Sequence, residues 1–268
     1  MIKLPTVDLD RNTVAKLAEW QAEVDINSDY STKVAAAKSE FGRRNTATNP
    51  TFKAVKAALT QMCAGARRCV YCEDSLADEV EHIAPKDLYP ERVFLWDNYV
   101  YACGPCNGPK NNKYAVIDSN GMLVVVTRPR GAPVVPPAAG VAEGIVNPRV
   151  EDPTYFFELD IIDTFVLLRR EQLPEQQALR ADYTIELLDL NKDVLLAARE
   201  NAYRSYRGCL RDYAHMRDNG ASGKVLDFQR RGILQMPHPT VLAEMRRSHA
   251  VIPELIELFQ AVPEALDW

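Results

Sequence analysis

Apolar positions recur at helical spacing through the first quarter of the chain. Over residues 12–26 they fall at Val14, Leu17, Ala18 and Val24 behind a capping-type Asn12-Thr13, which predicts a helix rather than a strand. A second helix is expected over 31–41. The run GRRNTATN (42–49) then breaks the pattern, and Pro50 stands where a first helical residue belongs, opening a third helix that Gly65 closes. From Arg67 to Asp118 the periodicity weakens, and Cys, His, Asn, Pro and aromatic residues crowd together as in a small metal-stapled module. Residues 123–127 read as a short strand, 128–144 as a Pro/Ala/Gly arm, and 156–159 and 164–168 as extended segments. Helices follow over 182–189, 192–217, 222–231, 239–248 and 253–261. The long one carries Leu195, Ala198, Ala202, Tyr206, Cys209 and Tyr213 on one stripe. The expected fold class is α+β, mainly α, in four stretches: a helical lead-in (1–66), the module (67–118), the strand and arm (119–150) and a mainly helical region (151–268).

Composition narrows the function classes. With 268 residues, 47% apolar and 26% charged, the chain can bury a real core, and no apolar run approaches the roughly 20 residues that cross a bilayer. The opening MIKLPTVDLD lacks the order of a secretory signal, so the cytoplasm is the expected location, where thiols stay reduced. A net charge of −5 argues against gripping nucleic acid by bulk positive charge. Within 67–118 six cationic side chains face nine anionic ones, so the module too is acidic.

Six cysteines are therefore metal ligands or buried thiols before they are disulfides. Cys69 and Cys72 form CVYC, and Cys103 and Cys106 form CGPC. Two tight turns, each presenting two sulfurs, complete a four-cysteine structural zinc site; a redox CxxC or disulfides are the remaining readings. Cys63 and Cys209 are expected to be buried small hydrophobes.

Beside the knuckles lie EHIAPK (81–86), WDNYVYAC (96–103) and CNGPKNNK (106–113). Glu81 and Asn107 offer hard oxygen ligands of the kind Mg²⁺ accepts, and His82 titrates in the range that removes a proton from water. Neighbours on a strand face opposite sides, so Glu81 and His82 reach one ion only if the strand ends there; Pro85 favours that. Taken singly, a Glu-His pair in a strand is more often a surface polar feature than a catalytic one, and either Asn alone is most often a turn or cap residue.

The order CxxC, EHIxPK, N-x-V-x-A-C-x-x-C-N-x-x-K resembles the HNH (ββα-metal) endonucleases with a four-cysteine zinc site. The resemblance implies that Glu81 and Asn107 bind a catalytic Mg²⁺ or Mn²⁺, that His82 is the general base, and that Asn98 braces the loop carrying it. It implies further that Lys110 lies near the substrate phosphate, with Lys113, six residues from Asn107, resembling a repeat of it, and that the products carry 5′-phosphate and 3′-hydroxyl ends. Pro105 and Pro109 fall where the α element should begin, so an irregular first turn or a late start is expected.

Beyond the module, VNPRVEDP and the helical half opening with YTIELLDLNKDVLLAARENAY resemble the PtuB-like HNH subunits of Septu antiphage systems, also found beside retrons. That resemblance implies an ATPase partner of the SMC/ABC type and a nucleic-acid substrate, DNA before RNA. A catalytically inactive zinc module that binds nucleic acid or protein is the alternative, and an interaction scaffold built on the helical half is a third. Arg204, Arg207 and Arg211 share one face of the long helix, where they are either solvated or in contact with phosphates.

Overall fold

The computed structural model describes residues 1–268, and half of them are helical. The α+β, mainly α, class is thus the observed one. Helices α1 (Arg11–Asp25), α2 (Tyr30–Arg44) and α3 (Pro50–Met62) form the lead-in. The cap of α1 is Asp10 rather than Asn12-Thr13. Its carboxylate accepts from the Asn12 and Thr13 amides and from the Thr13 hydroxyl, satisfying more first-turn donors than either later residue can. Asn49 caps α3 ahead of Pro50 as N1, and Phe52, Val55, Leu59 and Met62 form its buried face.

The module contains β1 (Glu79–His82), β2 (Tyr99–Ala102) and α4 (Gly104–Lys110). The strands pair antiparallel with Glu81 opposite Val100 and His82 opposite Tyr99. The expectation of a late or irregular helix start is not met. Pro105 falls in the first turn, where its missing N–H has no helical partner to lose, and α4 begins at Gly104.

Strand β3 (Tyr114–Ile117) is flanked by β4 (Leu123–Val126) and by the short β5 (Ala142–Glu143), so the arm returns to the body at its far end. A Cβ on Gly144 would lie 2.6 Å from Ala115, and the glycine permits the close approach that lets its amide reach the Ala115 carbonyl. One turn of helix, α5 (Pro153–Phe156), leads into the hairpin β6 (Phe157–Leu159) and β7 (Leu167–Arg169).

Helices α6 (Glu175–Leu187), α7 (Asp193–Asp218), α8 (Gly223–Leu234), α9 (Pro239–Arg247) and α10 (Pro253–Ala261) complete the chain. Helix α6 starts at Glu175, earlier than residue 182, and none of residues 175–180 is fully buried, so this first part carries little apolar period. On α7, Arg199 rather than Ala198 takes the buried position. Its guanidinium donates to the Phe165 and Leu190 carbonyls, which offsets the cost of burying it. Cys63 and Cys209 are only half-buried.

One apolar cluster of 59 residues runs from Met1 to Ala265. Two polar devices tie flanking segments, the start of α9 and the turn before α5, to the module. Glu73, just after the first knuckle, accepts from the Thr240 amide and hydroxyl at the start of α9. Arg149, in VNPRVEDP, donates to the Tyr99 carbonyl and lies 4.4 Å over the Trp96 ring. No helix is long and apolar enough to cross a membrane.

The β6–β7 turn is held by Asp160, whose carboxylate accepts from the Ile162, Asp163 and Thr164 amides and the Thr164 hydroxyl. Partial burial pushes its pKa up, but the Thr164 hydroxyl and these amides hold it down at about 2. Because the folded pKa lies below the unfolded one, its stabilisation is complete above the ordinary carboxylate range and is lost as pH falls towards 2. Asp160→Asn is expected to lower Tm at pH 7, with the gap to the parent closing between about pH 4 and pH 2. Thermal melts across that range check it, and equal Tm values at pH 7 refute it.

Candidate active site

The two knuckles meet where the hairpin turns into the helix. The first is a tight loop in which the Cys69 amide reaches the Ser75 carbonyl and the Glu73 amide the Cys69 carbonyl, with Arg67 and Glu73 both at positive φ. The second is the β2–α4 junction itself, with Cys103 as the residue capping α4. All four sulfurs are buried and lie within 4.8 Å of one another, and Cys72 Sγ is 3.8 Å from Cys103 Sγ. A tetrahedral ion with bonds of about 2.3 Å sets its sulfurs roughly 3.8 Å apart. The cluster therefore fits zinc, and no disulfide joins any of the six cysteines.

Alternation on β1 separates two faces. Glu79 and Glu81 point towards α4, where Glu79 accepts from Asn107 Nδ2 at 2.6 Å and Glu81 Oε1 from Lys110 Nζ at 2.5 Å. His82 points the other way, its ring 4.5 Å from Phe41 of α2 and 5.2 Å from Tyr99. The strand ends at His82, as a shared site for Glu81 and His82 requires. Both residues line one polar cleft of roughly 530 Å³, with Phe41 and Asn45 at the end of α2, Asp78, Glu79, Pro85, Lys86, Asn107, Asn111 and Asn112.

The His82 ring is almost wholly buried, and its Nε2 lies 3.0 Å from the Val93 carbonyl. A carbonyl only accepts, so Nε2 carries the proton and Nδ1 keeps its lone pair. Burial, and then the Lys86 charge, push the imidazole pKa down to about 3, so the ring is neutral near pH 7. Asn98 is buried at the start of β2. Its amide oxygen accepts from the Ala84 amide, and its nitrogen donates to the Ala84 and Arg92 carbonyls, which stitches together the loop between His82 and β2.

For a hard divalent cation, Glu81 Oε2 and Asn107 Oδ1 have no hydrogen-bond partner, while the other atom of each head group is held by Lys110 and Glu79. Two oxygens on one polar cleft fit Mg²⁺ or Mn²⁺ as partial ligands, with water completing the shell.

The lysines differ from their expected positions. Lys110 is fully buried behind Glu81, because the face of α4 it shares with Asn107 packs on the carboxylate face of β1. Lys113 is exposed beyond the end of α4 and is not among the cleft residues. Among the cleft residues, Lys86 is the one fixed cation. Of the α7 arginines, Arg207 pairs with Glu254 and Arg204 with Glu200, while Arg211 lies 3.9 Å from Glu254.

Sequence reasoning missed Glu79, although its place two residues before Glu81 puts it on the same strand face. It also missed Phe41 and Asn45, which no local signal near the motifs could supply.

Replacing Cys103 by Ser is expected to lose the one zinc per chain and to disorder 67–118. A structural zinc contributes on the order of 10 kcal/mol in small modules, and elemental analysis with amide exchange reads both effects. Asn98→Ala should retain zinc yet destabilise the protein by about 3 kcal/mol, since the Ala84 amide is left buried and unpaired. Denaturant titration measures it, and a change under about 0.5 kcal/mol refutes the bracing role.

The chain matches no protein-family profile. It is similar to the Septu protein PtuB of Bacillus thuringiensis, with 44% identity over 61 residues, which make up 21% of this chain and 23% of that protein. The match thus spans about a quarter of the relative's length.

Proposed function

We infer that this chain is a divalent-metal-dependent HNH-type endonuclease of an antiphage defence system, hydrolysing phosphodiester bonds of nucleic acid, DNA before RNA. The observation that carries the reading is His82. A neutral, buried imidazole with one nitrogen committed to the Val93 carbonyl lines the same cleft as Glu81 and Asn107. The similarity to a Septu protein supports the defence setting.

In this reading His82 Nδ1 takes a proton from the attacking water. The Val93 carbonyl holds the ring in the tautomer that leaves Nδ1 free, and Asn98 fixes the loop that carries Val93. Glu81 and Asn107 would hold Mg²⁺ or Mn²⁺, whose chemistry there would be to neutralise charge on the scissile phosphate and the leaving oxygen. Zinc in the four-cysteine cluster is structural, because four thiolates leave no open coordination position.

Substrate capture is shared with a partner. Asp78 and Glu79 are exposed at the cleft, and Lys86 alone among the lining residues offers a fixed positive charge to a phosphate. Delegating affinity to a second subunit, an SMC/ABC-type ATPase in Septu-like systems, answers that deficit. A second reading, a catalytically silent zinc module, is favoured by one observation: Glu81 and Asn107 are already engaged, by Lys110 and Glu79.

His82→Ala separates the two. It should keep fold and zinc while lowering metal-dependent cleavage by about 10² to 10⁴-fold, the contribution of a positioned base. Plasmid nicking by the chain together with its partner is the assay. Cleavage undiminished by the substitution, or absent from the parent complex under all metal conditions, refutes the endonuclease reading.

A further inference from the structure

Lys110 is one of the largest fully buried side chains of the protein, and it is the only lysine in that class. Its ammonium has two partners, Glu81 Oε1 at 2.5 Å and the His82 carbonyl at 2.8 Å. Both belong to the last two residues of β1, so the charge sits directly behind the residues that face the cleft. Burying an ammonium is costly unless it is paired, and here one carboxylate and one carbonyl supply the pairing. A lysine so placed cannot reach a phosphate in the cleft without breaking both contacts.

We propose that Lys110 is a positioning residue that acts through Glu81, a built-in counter-charge that fixes the carboxylate and holds down the cleft's affinity for a free divalent cation. The inference rests on the metal site assigned above. Lys110 fixes Glu81 Oε1, so Glu81 offers the cleft one oxygen instead of two. It also cancels the Glu81 charge at close range, where little water intervenes to screen it. A cation entering the cleft therefore meets a nearly neutral ligand pair, Glu81–Lys110 and Asn107, with the solvent-exposed Glu79 and Asp78 as the remaining carboxylates on the lining. An anionic phosphodiester in the same cleft supplies the missing negative charge, so cation and substrate bind each other's complex more tightly than either binds the chain alone.

The consequence is directional, which separates it from a merely structural role. A lesion in packing weakens metal binding, whereas removal of a counter-charge strengthens it. The test is Mn²⁺ titration of the zinc-loaded full chain without nucleic acid, followed by electron paramagnetic resonance of the free ion. Lys110→Met, close in shape and uncharged, is expected to bind Mn²⁺ roughly tenfold or more tightly than the parent, and Lys110→Arg to bind as the parent does. Lys110→Gln removes the charge while keeping a donor for the His82 carbonyl, and it carries the test where the methionine variant does not fold.

Glu81→Gln identifies the site. If it abolishes Mn²⁺ binding while neither uncharged Lys110 variant gains affinity, the counter-charge proposal is overturned and the metal site stands. If Glu81→Gln binds Mn²⁺ as well as the parent, the metal site itself is wrong and the proposal falls with it. Weaker Mn²⁺ binding by both uncharged variants with melting temperatures near the parent's also overturns it, because Lys110 would then aid the ion.

Discussion

Four sulfur atoms within 4.8 Å of one another set the geometry on which everything else in the module depends. Two come from a loop that precedes β1 and two from the residues that end β2 and begin α4. Their convergence sets the first turn of α4 against the hairpin, so that Asn107 and Lys110 face Glu79 and Glu81, and an ion held by the four sulfurs would lock that arrangement. The constraint is needed because the local elements are weak. Two four-residue strands and a seven-residue helix with a proline inside it would not persist alone in water.

The second requirement is a wall for His82. An imidazole on the outer face of a two-stranded hairpin would be solvated and would titrate near its ordinary value. The lead-in helices prevent this. Phe41 packs edge-on against the ring, Phe52 backs Phe41, Trp20 stacks on Phe52, and Phe94 from the loop after β1 meets both Trp20 and Phe41. Aromatic burial lowers the proton affinity of His82, and the Val93 carbonyl assigns its tautomer. The N-terminal helices thus shape the surroundings of His82 by packing and by Gln21, which accepts from the Phe94 amide and donates to the Pro90 carbonyl, without contributing a charged group to the cleft.

How much of this was legible follows from the range of each signal. Helices α1, α3 and α7 were readable because burial of one face imprints a 3.6-residue period on the sequence. Strand β3 left no such mark, since all four of its residues are buried and an unbroken YAVI run has no alternation. The four-cysteine cluster was readable because a tetrahedral site constrains sequence spacing within each knuckle. Asn107 and His82 fell on the cleft for the same reason: the motif places them by local geometry. The position of Lys110 was not readable from spacing after Asn107, which gives a shared helix face but not what that face packs against. That depended on the alternation of Glu79 and Glu81 across the hairpin, a relation between segments nearly thirty residues apart. Phe41 and Asn45 lie further off still, on a helix with no chemical motif of its own.

The charge distribution links the site to its setting. The module is acidic in sequence, and folding does not gather a basic surface around the cleft: it buries Lys110, leaves Lys113 outside and commits Arg207 to Glu254. Counterion release by lysine and arginine dominates the affinity of proteins for nucleic-acid backbones, so a cleft with one fixed cation holds a strand weakly. Weak holding and a neutralised metal ligand act in the same direction. On the proposed reading, each would leave the free chain short of one ingredient, substrate in one case and cation in the other, and each deficit would be reduced when the other ingredient arrives. If the chain is the endonuclease proposed above, a cleft arranged this way would depend on whatever delivers the strand, and activity in isolation would be low without any lid or inhibitor to remove.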